Sequence, residues 1–331
     1  MMVKNSKKGW KIYSFSLLLT FSLVSLGFTL GQAAEMYPTR SINMIVPYAP
    51  ASGTDLGSKI MADKIAEFLG QPLISVYKPG GGGSLGAAFA AKAKPDGYTI
   101  LAGSITPFVV APVVKKLDYT MDDFILLGIY SKNPFWIAVK SEARWKTLKD
   151  FVDEAKKSPG KLTVSTYGKL SAVDFVLELF KKQAGINVVD IPYKSSGEAL
   201  TALLGGHCDA AFVSAAAGLL DSGSIRILAA AEEKRLEGLP NIPTFKEFGY
   251  PIVLDCPYSL AFPKGTPPEM VARVFEAQKK AIEKYSKEIK ASLWKVEQWP
   301  DFRTPEDSRK RYKDLEILFS KIIKELGVKV E

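Results

Sequence analysis

The sequence of 331 residues predicts an α/β protein of two lobes, each a mostly parallel sheet flanked by helices. Short apolar segments alternate with amphipathic helical segments, which is typical of a parallel sheet with helices on its faces. Two such series follow one another without a low-complexity linker between them. Two lobes with the chain crossing between them therefore fit the sequence better than two successive domains. Ligands of such folds bind near the carboxyl ends of the strands.

The first series of predicted elements ends in a Pro-Gly pair at residues 159–160. It consists of strands at 41–49, 72–77, 96–104 and 134–140, and of helices at 54–70, 84–94 and 147–160. The second series has strands at 161–168, 186–193, 208–215 and 225–231, and helices at 171–185 and 196–206. A strand at 258–264 and a charged, mostly helical tail from Pro267 follow. Gly70 is the expected C′ residue of the first helix.

The N-terminal segment has the pattern of an export signal. Four lysines precede an apolar run from Ile12 to Leu30, and small residues follow at 31–34. A retained membrane anchor is the alternative, because a run of this length can cross a bilayer. Interspersed serines and threonines favour a cleaved signal instead. We predict removal of residues 1–34, with cleavage after Ala33 or Ala34, and a periplasmic location.

Charge and cysteine content exclude several classes of function. The signal holds four lysines and no acidic residue, so its removal lowers the net charge from +9 to +5. The remaining basic residues are interleaved with acidic ones, so no nucleic-acid partner is predicted. With one histidine, His207, and two cysteines, Cys208 and Cys256, we predict no metal site. Spacing alone leaves open whether the cysteines form a disulfide or remain buried thiols.

The glycine-rich stretch "YKPGGGGSLGAA" at 77–88 matches two motifs of enzymes. Gly81 to Gly86 spell the dinucleotide pattern G-x-G-x-x-G, but the next strand ends without the required acidic residue. The letters around Ser84 also spell G-x-S-x-G, the nucleophile motif of hydrolases, for which only His207 is available as the base. We therefore predict no cofactor. The simpler interpretation is a flexible turn, with Ser84 capping a helix whose Gly86 packs close to the sheet.

Two polar loops at strand ends are the candidate ligand site. The first runs from Ala51 to Asp55 and contains three potential N-caps, while its small residues would let a carboxylate approach the helix amides. The second spans 164–174 and places hydroxyls and a lysine around Gly168. In that loop, Ser171 and Asp174 resemble a capping box. One such loop from each lobe would hold a small anion, although ordinary surface loops have similar compositions.

The mature chain from about Tyr37 resembles the substrate-binding proteins of tripartite tricarboxylate transporters, often called the Bug family. The segments that carry the resemblance include "YPTRSINMIVPYAPASGTD", "GQPLISVYKPGGGGSLGAAFAAKAKPDGYTIL", "ELFKKQAGINVVDIPYK" and "LAFPKGTPPEMV". Pro-Asp-Gly-Tyr-Thr at 95–99 and Asn-Ile-Pro-Thr at 241–244 are especially specific. The resemblance implies a type II periplasmic-binding fold that closes around its ligand. It also implies small carboxylate ligands, held by backbone amides, hydroxyls and waters.

The resemblance further implies a binding protein without enzymatic activity, cofactor or metal, and membrane permease subunits as its partners. We expect a monomer in which residues 35–139 and 256–331 form one lobe and residues 140–255 the other. The ligand class stays open among di- or tricarboxylates, aromatic acids and amino acids. The residues expected to bind the ligand are Tyr48, Ala51, Ser52, Gly53, Thr54, Asp55, Ser104, Thr166, Tyr167, Gly168, Lys169, Ser171, Asp174 and Tyr193.

Several residues depart from the pattern of the family. Tyr167, Lys169 and Leu170 replace small residues in the second loop, and Asp174 stands where a histidine is frequent. These changes suggest a ligand that differs from the commonest ones, with Lys169 pairing directly with its carboxylate. Two alternatives to transport remain at this point. The protein would then report to a sensor, or it would be a secreted hydrolase that uses Ser84.

Overall fold

A computed structural model describes residues 37–215 and 219–328 of the chain. The predicted signal at 1–34 and its cleavage site lie outside the described residues. The strands are β1 (Ile42–Val46), β2 (Leu73–Tyr77), β3 (Thr99–Ser104), β4 (Phe124–Pro134), β5 (Trp136–Lys140), β6 (Thr163–Tyr167), β7 (Val189–Tyr193), β8 (Ala210–Val213), β9 (Ile225–Ala230), β10 (Asp255–Pro263) and β11 (Trp299–Pro300). The helices are α1 (Gly53–Leu69), α2 (Ser84–Ala91), α3 (Ala111–Val114), α4 (Leu148–Lys157), α5 (Ala172–Ala184), α6 (Ser196–Leu204), α7 (Pro268–Lys295) and α8 (Pro305–Leu326).

The strands form two sheets, both within the compact unit Arg40–Glu331. One sheet has the order β11-β4-β10-β3-β1-β2, and the other has the order β7-β6-β8-β5-β9. The predicted α/β architecture of two helix-flanked sheets is thus confirmed. Both sheets are mixed, however, rather than mostly parallel. β10 is antiparallel to β3 and β4, and β5 is antiparallel to β8 and β9.

Two of the reversed strands, β5 and β10, start where the chain crosses between the sheets. The chain leaves the first sheet at the end of β4 and enters the second with β5, and it returns between β9 and β10. A strand that starts at the crossing runs away from it, whereas its neighbours run toward it. The carboxyl ends of β1, β3, β6 and β8 therefore point toward the crossing. This geometry places the loops after these strands on the two sides of one cleft.

The first crossing lies at Phe135, between β4 and β5. The predicted boundary at 139/140 falls inside β5, which belongs to the second sheet through its pairing with β8 and β9. Alternating hydrophobicity cannot reveal this difference, because a strand looks the same in either sheet. The return boundary at 255/256 falls at the start of β10.

The crossing segments are hydrogen-bonded to one another. The amide of Ala231 donates to the carbonyl of Phe135 at 2.7 Å, and the amide of Leu254 donates to the carbonyl of Ala231 at 2.9 Å. Trp136, fully buried at the start of β5, packs edge to face against Trp299 of β11, with ring centroids 5.7 Å apart. These packed and hydrogen-bonded crossing segments are called the hinge between the sheets.

A group of charged side chains also lies at this hinge. Lys132 Nζ lies 2.9 Å from both carboxylate oxygens of Glu232 and 3.5 Å from Asp255 Oδ2. Arg311 of α8 binds Asp255 from the other side at 2.6 Å. The carboxylates of Glu232 and Asp255 are only 11% and 8% exposed, so their charges depend on these cations.

No helix within the described ranges has both the length and the apolar composition needed to cross a membrane.

Candidate functional site

Side chains from both sheets converge at the carboxyl ends of β1, β3 and β6. The Tyr48 hydroxyl, just after β1, donates to the carbonyl of Gly82 at 3.1 Å and is hydrogen-bonded to Ser104 Oγ at 3.0 Å. From the second sheet, the Tyr167 hydroxyl is hydrogen-bonded to Ser214 Oγ at 2.7 Å. Burial raises the pKa of Tyr167 well above its usual range, and the nearby Cys256 and Tyr48 add to this effect. The structure thus brings predicted residues of both lobes together.

The hydroxyls of Tyr48 and Tyr258 are protonated. Burial raises the pKa of Tyr48 and of Tyr258 far above the usual value of a phenol. Both hydroxyls therefore keep their protons across the physiological pH range and act as hydrogen-bond donors, and Tyr48 donates its one proton to the Gly82 carbonyl.

β10 contributes residues that the sequence analysis did not identify as site residues. Cys256 and Tyr258 lie near the start of this strand, and both influence the pKa of Tyr167 or are influenced by it. A Cβ atom on Gly53 would lie 3.1 Å from the Tyr258 hydroxyl, so the small residue of the first loop permits this close approach. The sequence predicted a strand here, but no pattern in the sequence indicated that this strand borders the candidate site.

Two further residues were missed for the same reason. Thr106, in a short π-helical turn after β3, approaches the Ala172 amide at the start of α5 with its Oγ1 at 3.5 Å. Gln298 Nε2 donates to the carbonyl of Gly53 at 2.6 Å, and its Oε1 accepts from Ser131 at 2.6 Å. Such contacts join segments far apart in sequence, so they depend on how the chain packs.

The first predicted loop is held in place by its own hydrogen bonds. Of the three potential N-caps, Ser52 is the one that caps α1, and it accepts from the Asp55 amide at 3.3 Å. The fully buried Asp55 carboxylate accepts from the Ala51 amide at 2.8 Å, from Lys59 at 3.0 Å and from Tyr77 at 3.2 Å. Asp55 therefore positions the loop, and the buried Thr54 lies in the first turn of the helix.

Side chains of the second predicted loop lie on opposite faces of β6. Because side chains alternate along a strand, Thr166 faces away from Tyr167. Thr166 Oγ1 donates to Asp190 at 2.6 Å. Lys169 Nζ binds Asp174 at 3.1 Å and also binds Asp190. Two carboxylates of the protein thus hold the lysine that was expected to meet the ligand.

The predicted capping box of α5 is wrong in its partners. Ser171 occupies the N-cap position, but its hydroxyl donates to the Tyr167 carbonyl at 2.9 Å. The Asp174 carboxylate accepts from the Leu170 amide at 2.8 Å rather than from Ser171. The left-handed backbone at Gly168 (φ 72°) and at Leu170 (φ 58°) turns the loop. The amide that Asp174 binds is therefore that of Leu170, one residue before Ser171.

Tyr193 is placed beside Tyr167 but is directed elsewhere. The two residues are neighbours in the parallel pairing of β6 with β7. The Tyr193 hydroxyl contacts Cys208 Sγ at 3.8 Å, and no described hydrogen bond links it to Tyr48 or Ser104. The structure therefore places Tyr193 next to Tyr167 but does not join it to Tyr48 or Ser104 by a hydrogen bond.

Cys208 and Cys256 are both buried free thiols, which answers the question that spacing left open. Burial raises the pKa of Cys256 to about 12 and also raises that of Cys208. The thiolate is the form that attacks thiol reagents, so both residues are protected by burial and by protonation.

We expect neither cysteine to react with a thiol reagent such as DTNB in the folded protein. After unfolding in guanidinium without a reductant, both should react within minutes, because the thiolates are then accessible. The measurement is the absorbance of the released thionitrobenzoate before and after unfolding. An unfolded chain that releases none would contradict the free-thiol state.

The glycine-rich stretch packs against the site as a structural element. α2 begins at Ser84, whose hydroxyl donates to the Gly81 carbonyl at 2.8 Å, so Ser84 is the first helical residue rather than the N-cap. A Cβ atom on Gly83 would lie 3.0 Å from the Tyr48 ring. One on Gly86 would lie 2.7 Å from the Lys78 carbonyl oxygen and from Pro47. The predicted close packing of Gly86 is therefore present, and Ser84 is engaged by the turn.

Two surface depressions lie away from these residues. One of about 340 Å³ is lined by residues that include Arg40, Phe89 and Tyr98, and one of about 270 Å³ lies at the start of α8. Neither contains a predicted site residue. Among the described residues, no group of three or more potential metal ligands occurs. The converging strand ends, rather than the size of a cavity, define the candidate site.

Comparisons with known proteins agree with this arrangement. The family model of the tripartite tricarboxylate transporter family receptor matches residues 58–327. The UPF0065 protein in the gbd 5′ region of Cupriavidus necator is 35% identical over 255 residues, covering 76% of this chain and 77% of the relative.

Solved structures are similar over the same part of the chain. A periplasmic transporter is 29% identical and has a TM-score of 0.83, with 89% of this chain and 100% of that one covered. A Rhodopseudomonas palustris protein solved with adipate is 25% identical and has a TM-score of 0.82, with 88% of this chain and 99% of that one covered. These similarities confirm the predicted periplasmic-binding fold. The chain belongs to the tripartite tricarboxylate transporter family of receptors.

Proposed function

We propose that this chain is an exported solute-binding protein that captures a small carboxylate in the cleft between its two sheets. The observation that carries this proposal is a pair of contacts between the two sheets: the carbonyl of Ser214, whose hydroxyl binds Tyr167, accepts from Asn133, and Thr106 Oγ1 approaches the Ala172 amide. Strand ends of both sheets meet there, as expected of a binding cleft. The similar Rhodopseudomonas palustris protein was solved with the dicarboxylate adipate, which supports the ligand class.

Helix starts and hydroxyls supply the recognition chemistry of this proposal. The first turns of α1 and α5 carry backbone amides whose dipoles favour an anion, one from each side of the cleft. The protonated hydroxyl of Tyr258, close to Gly53 of the first loop, adds a donor. Lys169 contributes indirectly: by offsetting one of the two negative charges of Asp174 and Asp190 it reduces the repulsion between the second loop and a carboxylate. This role replaces the direct pairing that its position in the sequence suggested.

Closure around the ligand would then link binding to transport. A carboxylate that contacts both helix starts binds the closed form more tightly than the open form, so it shifts the population toward closure. The closed protein, acting as a monomer in the periplasm, delivers the ligand to the membrane permease. No covalent step is needed, and the Ser84 hydroxyl donates to a backbone carbonyl rather than to a base.

A thermal-shift screen of the mature protein against small carboxylates tests this function. A ligand present at 100 times its dissociation constant should stabilise the protein by about 2.7 kcal/mol. If no acid raises the melting temperature, and native mass spectrometry finds no ligand already bound, the proposal is wrong.

A pair of matched variants locates the binding in the cleft. Tyr167→Phe removes a hydroxyl of the site, and we expect it to weaken binding about tenfold, because one hydrogen bond to a charged group is lost. Tyr285→Phe removes a hydroxyl that binds Glu67 on the surface, so it should leave the affinity unchanged. Equal affinities of the two variants would place the ligand elsewhere.

A further inference from the structure

The side-chain amide of Asn133 lies between the two sheets, next to Ser214. This residue lies near the end of β4, is fully buried, and stands directly opposite Cys256 in the pairing with β10. Its Nδ2 donates to the carbonyl of Ser214. The hydroxyl of Ser214 is the one bonded to Tyr167. Asn133 thus joins the hinge side of the first sheet to the tyrosine contributed by the second.

The contact with Ser214 determines how the amide is turned. A carbonyl oxygen only accepts hydrogen bonds, so the NH₂ group of Asn133 must face it and Oδ1 must point elsewhere. Oδ1 is buried and has no hydrogen-bond partner among the described residues. Buried polar atoms are almost always paired, so an unpaired one calls for an explanation.

The chemistry of this atom is selective. The buried hydroxyl of Tyr130 also lacks a partner in the described part of the chain, but a phenol can donate or accept and so discriminates little. Oδ1 of Asn133 accepts only. The thiol of Cys256 opposite is a weak donor, and a carboxylate oxygen brought near Oδ1 would be repelled. Any group that pairs with Oδ1 must therefore be an O–H or N–H donor.

We propose that Asn133 determines ligand specificity by selecting carboxylates that also carry a hydroxyl or ammonium donor, which binds Oδ1. This inference rests on the proposed carboxylate-binding function and specifies its substrate class as hydroxy acids or amino acids. An acid without such a donor would bury Oδ1 unpaired. Sites that hydrogen-bond a ligand group discriminate strongly against analogues that lack it, because the buried partner is left unsatisfied.

Calorimetric titration of the full mature protein with matched acids tests the inference. The pairs are succinate with malate, propionate with lactate, and glutarate with glutamate, and each pair differs by one donor group. In the pair that binds best, we expect the donor-bearing acid to bind at least about tenfold more tightly. This comparison needs only the unmodified protein.

Variants then assign the preference to the residue. In Asn133→Leu the ratio of the two affinities should fall to about threefold or less, because the accepting atom is gone. Asn43→Leu makes the same change at an exposed position of β1 and should leave the ratio unchanged.

Each other outcome has a definite meaning. Equal or tighter binding of the donor-free acid to the unmodified protein would overturn the inference while leaving carboxylate binding intact. A ratio that persists in Asn133→Leu would also overturn it. If none of these six acids binds and the screen of small carboxylates also finds no ligand, the proposed function is wrong, and with it the inference that depends on it.

Discussion

Replacing Lys132 by methionine is expected to lower the free energy of unfolding by about 3 kcal/mol at neutral pH. The methionine keeps the apolar stem but leaves Glu232, whose carboxylate is 11% exposed, without the cation that binds both of its oxygens. Arg311 still binds Asp255, so most of the loss arises at Glu232. Urea unfolding followed by tryptophan fluorescence measures the change.

The control for this variant is Lys149→Met, which breaks the exposed ion pair with Asp153 within α4. Exposed ion pairs contribute little to stability, so this change should lower the free energy of unfolding far less than Lys132→Met. In the double variant Lys132→Met, Glu232→Gln, the buried charge is absent and part of the stability should return. A loss for Lys132→Met no larger than that of Lys149→Met would refute the importance of the hinge charges.

The loss in Lys132→Met should also depend on pH. Burial already raises the pKa of Glu232 above its usual value of 4.5, and removing Lys132 raises it further. When the pKa is higher in the folded than in the unfolded protein, the ionised carboxylate destabilises the fold above the folded pKa, and this penalty disappears below the unfolded pKa. The difference in stability between variant and parent should therefore shrink as the pH falls from 7 toward 4. A difference that is constant over this range would contradict the assignment to Glu232.

Replacing Gly86 by alanine is expected to destabilise the protein by about 2 kcal/mol. The new methyl group would lie 2.7 Å from the Lys78 carbonyl oxygen and from the Cα of Pro47, which are backbone atoms that cannot rotate away. α2 would have to move off the loops that follow β1 and β2. The midpoint of denaturant unfolding gives the change.

Gly197→Ala is the matched control, because Gly197 also lies in a helix, and the nearest atom to its added Cβ is Ser195 Oγ at 3.8 Å. Alanine there should leave stability unchanged or raise it by up to about 1 kcal/mol, since it restricts the unfolded chain. Equal effects of the two substitutions would mean that Gly86 is not closely packed.

The candidate site was predicted in part. The first loop was recognisable because Ser52 and Asp55 follow a strand and open a helix, and caps are local signals. The ion pairing of Lys169 could not be recognised in the sequence, because its partner Asp190 lies on the neighbouring strand. That contact depends on the pairing of β6 with β7. Asn133 and Ser214 are 81 residues apart, and only the crossing between the sheets brings them together.

The sequence by itself determined most of the elements, the family motifs and the presence of two polar loops at strand ends, but it missed β4 and β11. These features depend on local periodicity, on capping residues and on short segments of fixed order. The tertiary structure decided which strands reverse, which side chains share the cleft and which charges neutralise one another. Those outcomes depend on contacts between residues far apart in the chain, because each strand is compatible with several neighbours until the sheets assemble. Thus the polar loops could be recognised in the sequence, but the partners of Lys169, Gly53 and Asn133 were established by the fold.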